Sequence, residues 1–306
     1  MKNQRGVTLT ELLIALMLGV LLLGGVLGVY LSNQTTARTT EDLSNLQNRI
    51  RLAFQVMSYD LRSAGFLGCN NSERVVRVVR VDGEEPAWLN WQGGLVGVAP
   101  EGPNNNESIR IMYAAGQSSS VVSHTPPSFQ LNQVPELMAG DLALVCDETL
   151  TSIFQVSAIN AQQVQHQALG LNCSADLGFS NSPDCATPRP RIYPADAMLL
   201  RFESVRWFVD QSQGEGNENF SSLYREIIVN GEPVAEEVLF GVERLSFAYQ
   251  MRNAPFGPVA FAAVPDMTQV TGVNVTILLA DEAYQAINMA NINMRTVAFF
   301  VSIRNR

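Results

Sequence analysis

The chain has 306 residues and a formal net charge of -9 at neutral pH, long enough to bury a sizeable core in one large domain or two small ones. That acidic balance argues against general nucleic-acid binding, which needs clustered Lys and Arg to neutralise phosphate. The average composition conceals two regions: a strongly apolar stretch with a basic tip near the N-terminus, and an acidic remainder rich in Asn, Gln, Ser and Gly.

Lys2 and Arg5 make the tip basic, so the positive-inside rule keeps it in the cytoplasm. From Leu12 to Leu31 there is no charge and no proline. A run of about twenty apolar residues is the length at which a helix spans a bilayer, and the rest of the chain is then expected on the periplasmic side. The run is long for the apolar region of a secretory signal, and Ser32 to Thr40 offers no convincing small-residue cleavage site. No cysteine follows that would carry a lipid anchor. The remaining route cuts before the apolar run. Gly6-Val7-Thr8-Leu9-Thr10-Glu11-Leu12-Leu13-Ile14-Ala15 closely resembles the class III leader of type IV prepilins, G-F-T-L-x-E-L-x-x-A with the cut after Gly.

That resemblance implies cleavage by a prepilin peptidase between Gly6 and Val7, followed by methylation of the new Val7 amine; Val7 departs from the usual Phe. It also makes Glu11 the acidic residue that pairs between subunits. Physical chemistry points the same way. A carboxylate at the edge of a membrane helix costs a few kcal/mol unless paired. A lone span offers no charge to pair with it, whereas in packed helices the N-terminal amine of a neighbour supplies one at low dielectric. Ala15 with Gly19, and Gly24 with Gly28, are small residues four apart that allow close helix approach. Gly24-Gly25 is also a point where the helix can bend.

Beyond Leu31 the helical period turns amphipathic. Leu43, Leu46, Ile50, Phe54, Met57 and Leu61 follow spacings of three and four, with Arg49, Arg51 and Arg62 mostly off that stripe. One helix is predicted from Val7 to Ala64, with Gly65 as its stop. Four segments follow: a leader, 1–6; a membrane or filament-core half-helix, 7–31; an amphipathic half-helix, 32–64; and a periplasmic, β-rich head, 65–306.

In the head, short apolar alternations predict strands at Val75–Val81, Ser108–Tyr113, Leu142–Asp147, Ile153–Ile159, Leu199–Val209, Tyr224–Val229, Val234–Leu239, Leu245–Met251, Val273–Leu279 and Val297–Ile303. Asn230-Gly231 signals a hairpin. Gly102–Asn106, Asn172–Pro190 and Gln211–Asn219 read as loops. The fold class expected is α+β, one long helix followed by an antiparallel sheet or two.

Cys69, Cys146, Cys173 and Cys185 all follow the apolar segment, which places them in an oxidising compartment as disulfide candidates. Four cysteines allow three pairings, and sequence alone does not choose among them. The pairing expected is Cys173–Cys185, closing a short loop, with Cys69–Cys146 tying the post-helix segment to a core strand. No pair has the C-x₂-C spacing of a zinc site, and only His124 and His166 remain to help. No phosphate-cradling motif, nucleophile elbow or calcium loop is present; Asp210 to Glu218 lacks the ligand spacing of the last. Arg74, Arg77 and Arg80 would not share one strand face. No catalytic residue, metal or cofactor is expected, and the chain is not expected to be an enzyme.

A narrower resemblance lies in Asp60-Leu61-Arg62-Ser63-Ala64-Gly65-Phe66-Leu67-Gly68-Cys69, which looks like the D-L-R-x-A-G-[YF]-x-G-C segment of PilW-type minor pilins. Asp141 to Cys146 followed by Phe154-Gln155-Val156, the alternating strand Val273 to Leu279, and the ending Ile303-Arg304-Asn305-Arg306 are also similar to that family. It implies a type IV pilin-like fold and a low-abundance subunit that primes pilus assembly at the inner membrane and lies near the pilus tip, serving twitching motility, adhesion or DNA uptake. The partners implied are other minor pilins, the major pilin, a tip adhesin, the prepilin peptidase and the inner-membrane assembly platform. The J-type pseudopilin of type II secretion shares the leader and helix and is the nearest alternative. A single-pass membrane protein with a periplasmic binding or enzymatic domain is the alternative of another class; it would keep residues 1–6 and hold a polar pocket in its head.

Overall fold

The computed structural model describes residues 8–69, 74–101, 106–179, 185, 189–214, 219–252, 257–280 and 295–304. Its first element, α1, is a 55-residue helix, Leu9–Ser63, about 80 Å long at 1.5 Å per residue. The predicted bounds of 7 to 64 hold to within two residues. The helix stops where expected: Gly65 takes a left-handed φ of +74°, and a Cβ there would lie 2.8 Å from the Gly93 carbonyl oxygen. The chain then docks by its backbone. Gly65 N–H donates to Met112 O at 3.0 Å, and Ala114 N–H to Phe66 O at 2.6 Å.

Fifteen strands follow among the described residues: β1 (Val75–Arg77), β2 (Leu95–Glu101), β3 (Asn106–Thr125), β4 (Ser128–Leu131), β5 (Leu142–Cys146), β6 (Thr151–Gln155), β7 (Ala158–Asn160), β8 (Gln163–Gln165), β9 (Met198–Gln211), β10 (Ser221–Val229), β11 (Glu232–Phe240), β12 (Val242–Met251), β13 (Val259–Ala260), β14 (Val270–Leu279) and β15 (Thr296–Ser302). They form an eleven-stranded sheet along β1-β6-β5-β9-β3-β4-β8-β7, with β2 on β3 and β11 on β10 on β9, and a four-stranded sheet β13-β12-β14-β15. Among the described pairs, only β1 with β6 is parallel. The architecture is the expected α+β: one apolar helix and a large, mostly antiparallel head.

Each predicted strand region contains a strand, with informative differences. Ser108–Tyr113 is the middle of the 20-residue β3. The single strand expected over Ile153–Ile159 is two, because Val156 turns back to Asp141 and Gly140 through backbone hydrogen bonds before β7 begins. Only Val75–Arg77 of the first region is a ladder strand; Val79 continues as an isolated bridge to Asn172. Asn230 and Gly231 both have positive φ, 53° and 90°, as a two-residue type I′ hairpin requires, and they join β10 to β11. Gly102–Asn106 and the acidic part of 211–219 lie largely outside the described residues. The stretch read as a loop from Asn172 is partly core, since Leu177 and Cys185 are buried.

Three apolar clusters fill the head. The first joins the C-terminal half of α1, through Leu46, Ala53, Met57 and Leu61, to both sheets. A second surrounds Trp88, Trp91 and Phe202. The third surrounds Phe129, Phe154 and Tyr193 and includes no residue of α1. Two of the clusters contain a disulfide: Cys69–Cys146 in the second, Cα atoms 5.8 Å apart and 77 residues apart in sequence, and Cys173–Cys185 in the third, 6.0 Å and 12 residues.

Loop closure ranks these bonds. Removing Cys69–Cys146 with paired serines is expected to cost about 4 kcal/mol, and removing Cys173–Cys185 about 3 kcal/mol, on the chain-entropy account. Denaturant midpoints of the two double mutants check the order; a larger loss from the short loop would contradict it.

Candidate functional site: the N-terminal helix and its seat on the head

Gly6 and Val7 lie outside the described residues. Glu11 lies in the first turn of α1, inside a capping box. Its backbone N–H donates to Thr8 Oγ1 at 3.4 Å, while Thr8 N–H and Thr8 Oγ1–H donate to Glu11 Oε2 at 2.9 and 3.1 Å. This modifies the expectation of an unpartnered carboxylate: within the lone chain Glu11 has neutral hydrogen-bond donors. It still has no opposite charge there among the described residues. The capping box satisfies orphan donors of the first turn and fixes where the carboxylate points, leaving the charge itself for another group to balance.

From Leu9 to Leu31 every large apolar side chain is exposed by the rest of the chain. Gly19, Gly24, Gly25 and Gly28 have nothing within 4 Å of where a Cβ would sit. This helix is long and apolar enough to cross a membrane. An exposed apolar surface of this extent marks a lipid or protein contact, and the glycines leave open faces on which another helix can lie close.

A buried polar joint holds the helix. Asp60 is fully buried, with a side-chain exposure of 0%. Its carboxylate accepts from Tyr113 Oη–H on β3 at 2.7 Å, from Trp207 Nε1–H on β9 at 2.9 Å, and from Arg225 Nε and Nη2 on β10 at 2.9 and 3.1 Å. The register explains the convergence: Trp207 lies opposite Arg225 across β9 and β10 and opposite Ile109 across β9 and β3. The Trp207–Arg225 row thus faces the helix, and Tyr113 joins it from four residues beyond Ile109 on the same face of β3. Burial works against the Arg225 charge, but its hydrogen bonds and attraction to Asp60 outweigh that and raise its pKa above the ordinary arginine value. Burial first, then Asp60, pushes the Tyr113 hydroxyl well above the ordinary tyrosine range. Burial likewise raises the Glu203 carboxyl, opposed by Arg201 and Arg225. The neighbouring row faces the other way: Arg110 donates to Glu226 at 2.7 Å and to Ser204 Oγ at 3.2 Å.

Further contacts complete the seat. Phe54 meets Phe299 of β15 edge to face at 4.7 Å. Gln55, Tyr59, Arg62 and Ser63 on one helix stripe, with Phe66 and Arg304 opposite, line an open groove. Asp60 entered the sequence reading only as the first letter of a resemblance. The signal was available: it sits three residues after Met57 and one before Leu61, a charge on the stripe that faces the core. The two histidines, far apart in sequence, are brought together with Nε2 atoms 3.0 Å apart. Among the described residues no three His, Cys, Asp or Glu side chains gather as a metal site.

Residues 1–27 match the prokaryotic N-terminal methylation motif. No curated protein and no solved structure matches the chain. Motif, exposed apolar helix and β-rich head together support a type IV pilin-like protein, of the pilin or pseudopilin kind, that is anchored in a membrane as a precursor and assembles with other subunits.

Removing one partner of a buried ion pair costs about 3 kcal/mol or more. Asp60→Ala is therefore expected to lower stability by about 3 kcal/mol, since it strands Arg225, Trp207 and Tyr113, and to reduce amide protection over the last turns of α1. A denaturation midpoint equal to wild type would contradict the joint.

Proposed function

We propose that this chain is a minor pilin of the PilW type, a non-enzymatic subunit that primes type IV pilus assembly from the inner membrane and takes a place at or near the pilus tip. The observation that carries this reading is the methylation motif leading into a helix whose first half is left exposed by the described residues. A filament of like helices is the environment that buries it.

In this reading the prepilin peptidase cuts between Gly6 and Val7 and the Val7 amine is methylated. The half-helix 7–31 holds the precursor in the membrane with residues 65–306 in the periplasm, then leaves lipid for a bundle of helices. Glu11, pre-aimed by Thr8, takes the N-terminal amine of a neighbouring subunit as its counter-charge. The PilW assignment gains support from what its signature segment does: Asp60 seats the helix, Gly65 permits the close turn onto Gly93, and Cys69 locks the exit to β5. The work of the head is packing against other minor pilins, the major pilin and a tip adhesin, in support of twitching motility, adhesion or DNA uptake.

Two sets of variants test this. Gly6→Leu is expected to block processing, because the peptidase requires a small residue before the cut; normal trimming of that variant sinks the leader assignment. Glu11→Ala and Glu11→Gln are both expected to be processed yet to fall at least tenfold in sheared pili. Gln keeps a side-chain oxygen for the capping bonds but lacks the charge, so wild-type incorporation of Glu11→Gln would refute charge pairing. Recovery of the wild-type chain only with a secretion apparatus, and never in sheared pili, would favour the J-type pseudopilin.

A further inference from the structure

The third core cluster holds a polar chain that subunit packing does not use. His124, at the end of β3, and His166, just after β8, are both buried. Tyr193 N–H donates to His124 Nδ1 at 3.0 Å. A neutral His124 must then carry its proton on Nε2, which faces His166 Nε2 at 3.0 Å. His166 must accept there, so its own proton sits on Nδ1, which is buried and has no hydrogen-bond partner among the described residues. The arrangement has room for two neutral rings of opposite tautomer. An added proton leaves N–H facing N–H, either between the rings or against Tyr193.

Among the described residues, aromatic rings lie against both imidazoles. His124 stacks on Phe129 with ring centres 4.0 Å apart, and His166 lies against Phe129 and Phe154. From the loop side the facing titratable group is Tyr193, whose hydroxyl meets Ser152 Oγ at 2.7 Å. Arg191 lies 5.2 Å over the Tyr193 ring and pairs with Asp147, and Asp176 follows Ala175 in the same segment. No carboxylate hydrogen-bonds either imidazole among the described residues.

We propose that His124 and His166 form an acid-operated latch, which holds the residues flanking the Cys173–Cys185 disulfide on the sheet at neutral pH and releases them in mild acid. The held parts are Leu177 on one side, and Arg191 and Tyr193 on the other. Ser152 Oγ adds a hydrogen bond to Leu177 O at 2.6 Å. Release bares the apolar face of Phe129, Phe154 and Leu177 without touching α1, which contributes nothing to this cluster.

The sign follows from burial, which lowers His124 to about 4; burial and then its neighbour His124 lower His166 to about 3. Both folded values lie below the ordinary 6.5. The latch is therefore fully closed above about pH 6.5 and weakens as pH falls toward the folded values. At pH 5 each imidazole favours the open form by about 20-fold more than it does at pH 7.

These are the chain's only histidines, so histidine-selective ¹⁵N labelling of the full chain in detergent micelles reads them directly. At pH 7 the spectrum should show one Nε2–H and one Nδ1–H neutral tautomer. Amide exchange, corrected for its intrinsic pH dependence, should rise at least ~20-fold from pH 7 to pH 5 at Tyr193 and Asp196, with Ala53 to Leu61 of α1 unchanged. A ring that titrates near 6.5 while Tyr193 stays protected overturns the latch. So does equal protection at both pH values, or loss of protection in α1 together with Tyr193.

Discussion

The Asp60 carboxylate accepts from a tyrosine, a tryptophan and an arginine on three successive strands of one sheet, and the rest of the molecule depends on that convergence. The helix projects from the head over residues 9–42, about 50 Å at 1.5 Å per residue, before Leu43 becomes the first apolar side chain to pack on the core. Any force on the projecting half passes into the head through the turns from Leu46 to Leu61. Apolar contacts at Met57 and Leu61 supply burial, but they tolerate rotation and sliding of a smooth helix. A buried carboxylate does not: moving it by one residue leaves a charge without partners, at a cost of several kcal/mol. The joint therefore fixes the register of the helix on the sheet. The peptide contacts at Gly65 and the Cys69–Cys146 bond fix the exit.

The two halves of α1 answer to different solvents. The second half has a stripe and a head to bury it. The first half is apolar all round, which suits lipid or a bundle of similar helices and does not suit water. Glu11 is the exception inside it, and the capping box resolves half of its problem. Thr8 satisfies the carboxylate as a hydrogen-bond acceptor, while the charge remains to be balanced by an external cation.

Much of this was legible in the sequence because it rests on periodicity and on local chemistry. The helix showed in the Leu43 to Leu61 stripe, its end in Gly65, the hairpin in Asn230-Gly231, and the long strands in their alternating apolar residues. What escaped depends on distant partners. β4 and β8, with sequences Ser-Phe-Gln-Leu and Gln-Val-Gln, are too polar and short to announce themselves, and exist because they pair with β3 and with each other. Leu177 and Cys185 looked like loop because their neighbours are turn formers, yet tertiary packing buries them. The Asp60 joint and the His124–His166 pair are contacts between residues 165 and 42 positions apart or fewer. No local pattern encodes such a meeting, although an acidic residue on a core-facing stripe is a sign that one exists.

The central claim is that the chain acts as a processed, filament-forming subunit, and its N-terminus reports on this most directly. Lys2 is the only lysine, so a cut before Val7 would leave the new N-terminal amine as the mature chain's only one. Intact-mass measurement of the protein from its native host, with fragmentation of the peptide ending at Arg38, reads that terminus without ambiguity. The account predicts a chain that begins with N-methylated Val7. A chain that retains Met1 to Gly6, or one cut after Leu31, would contradict it.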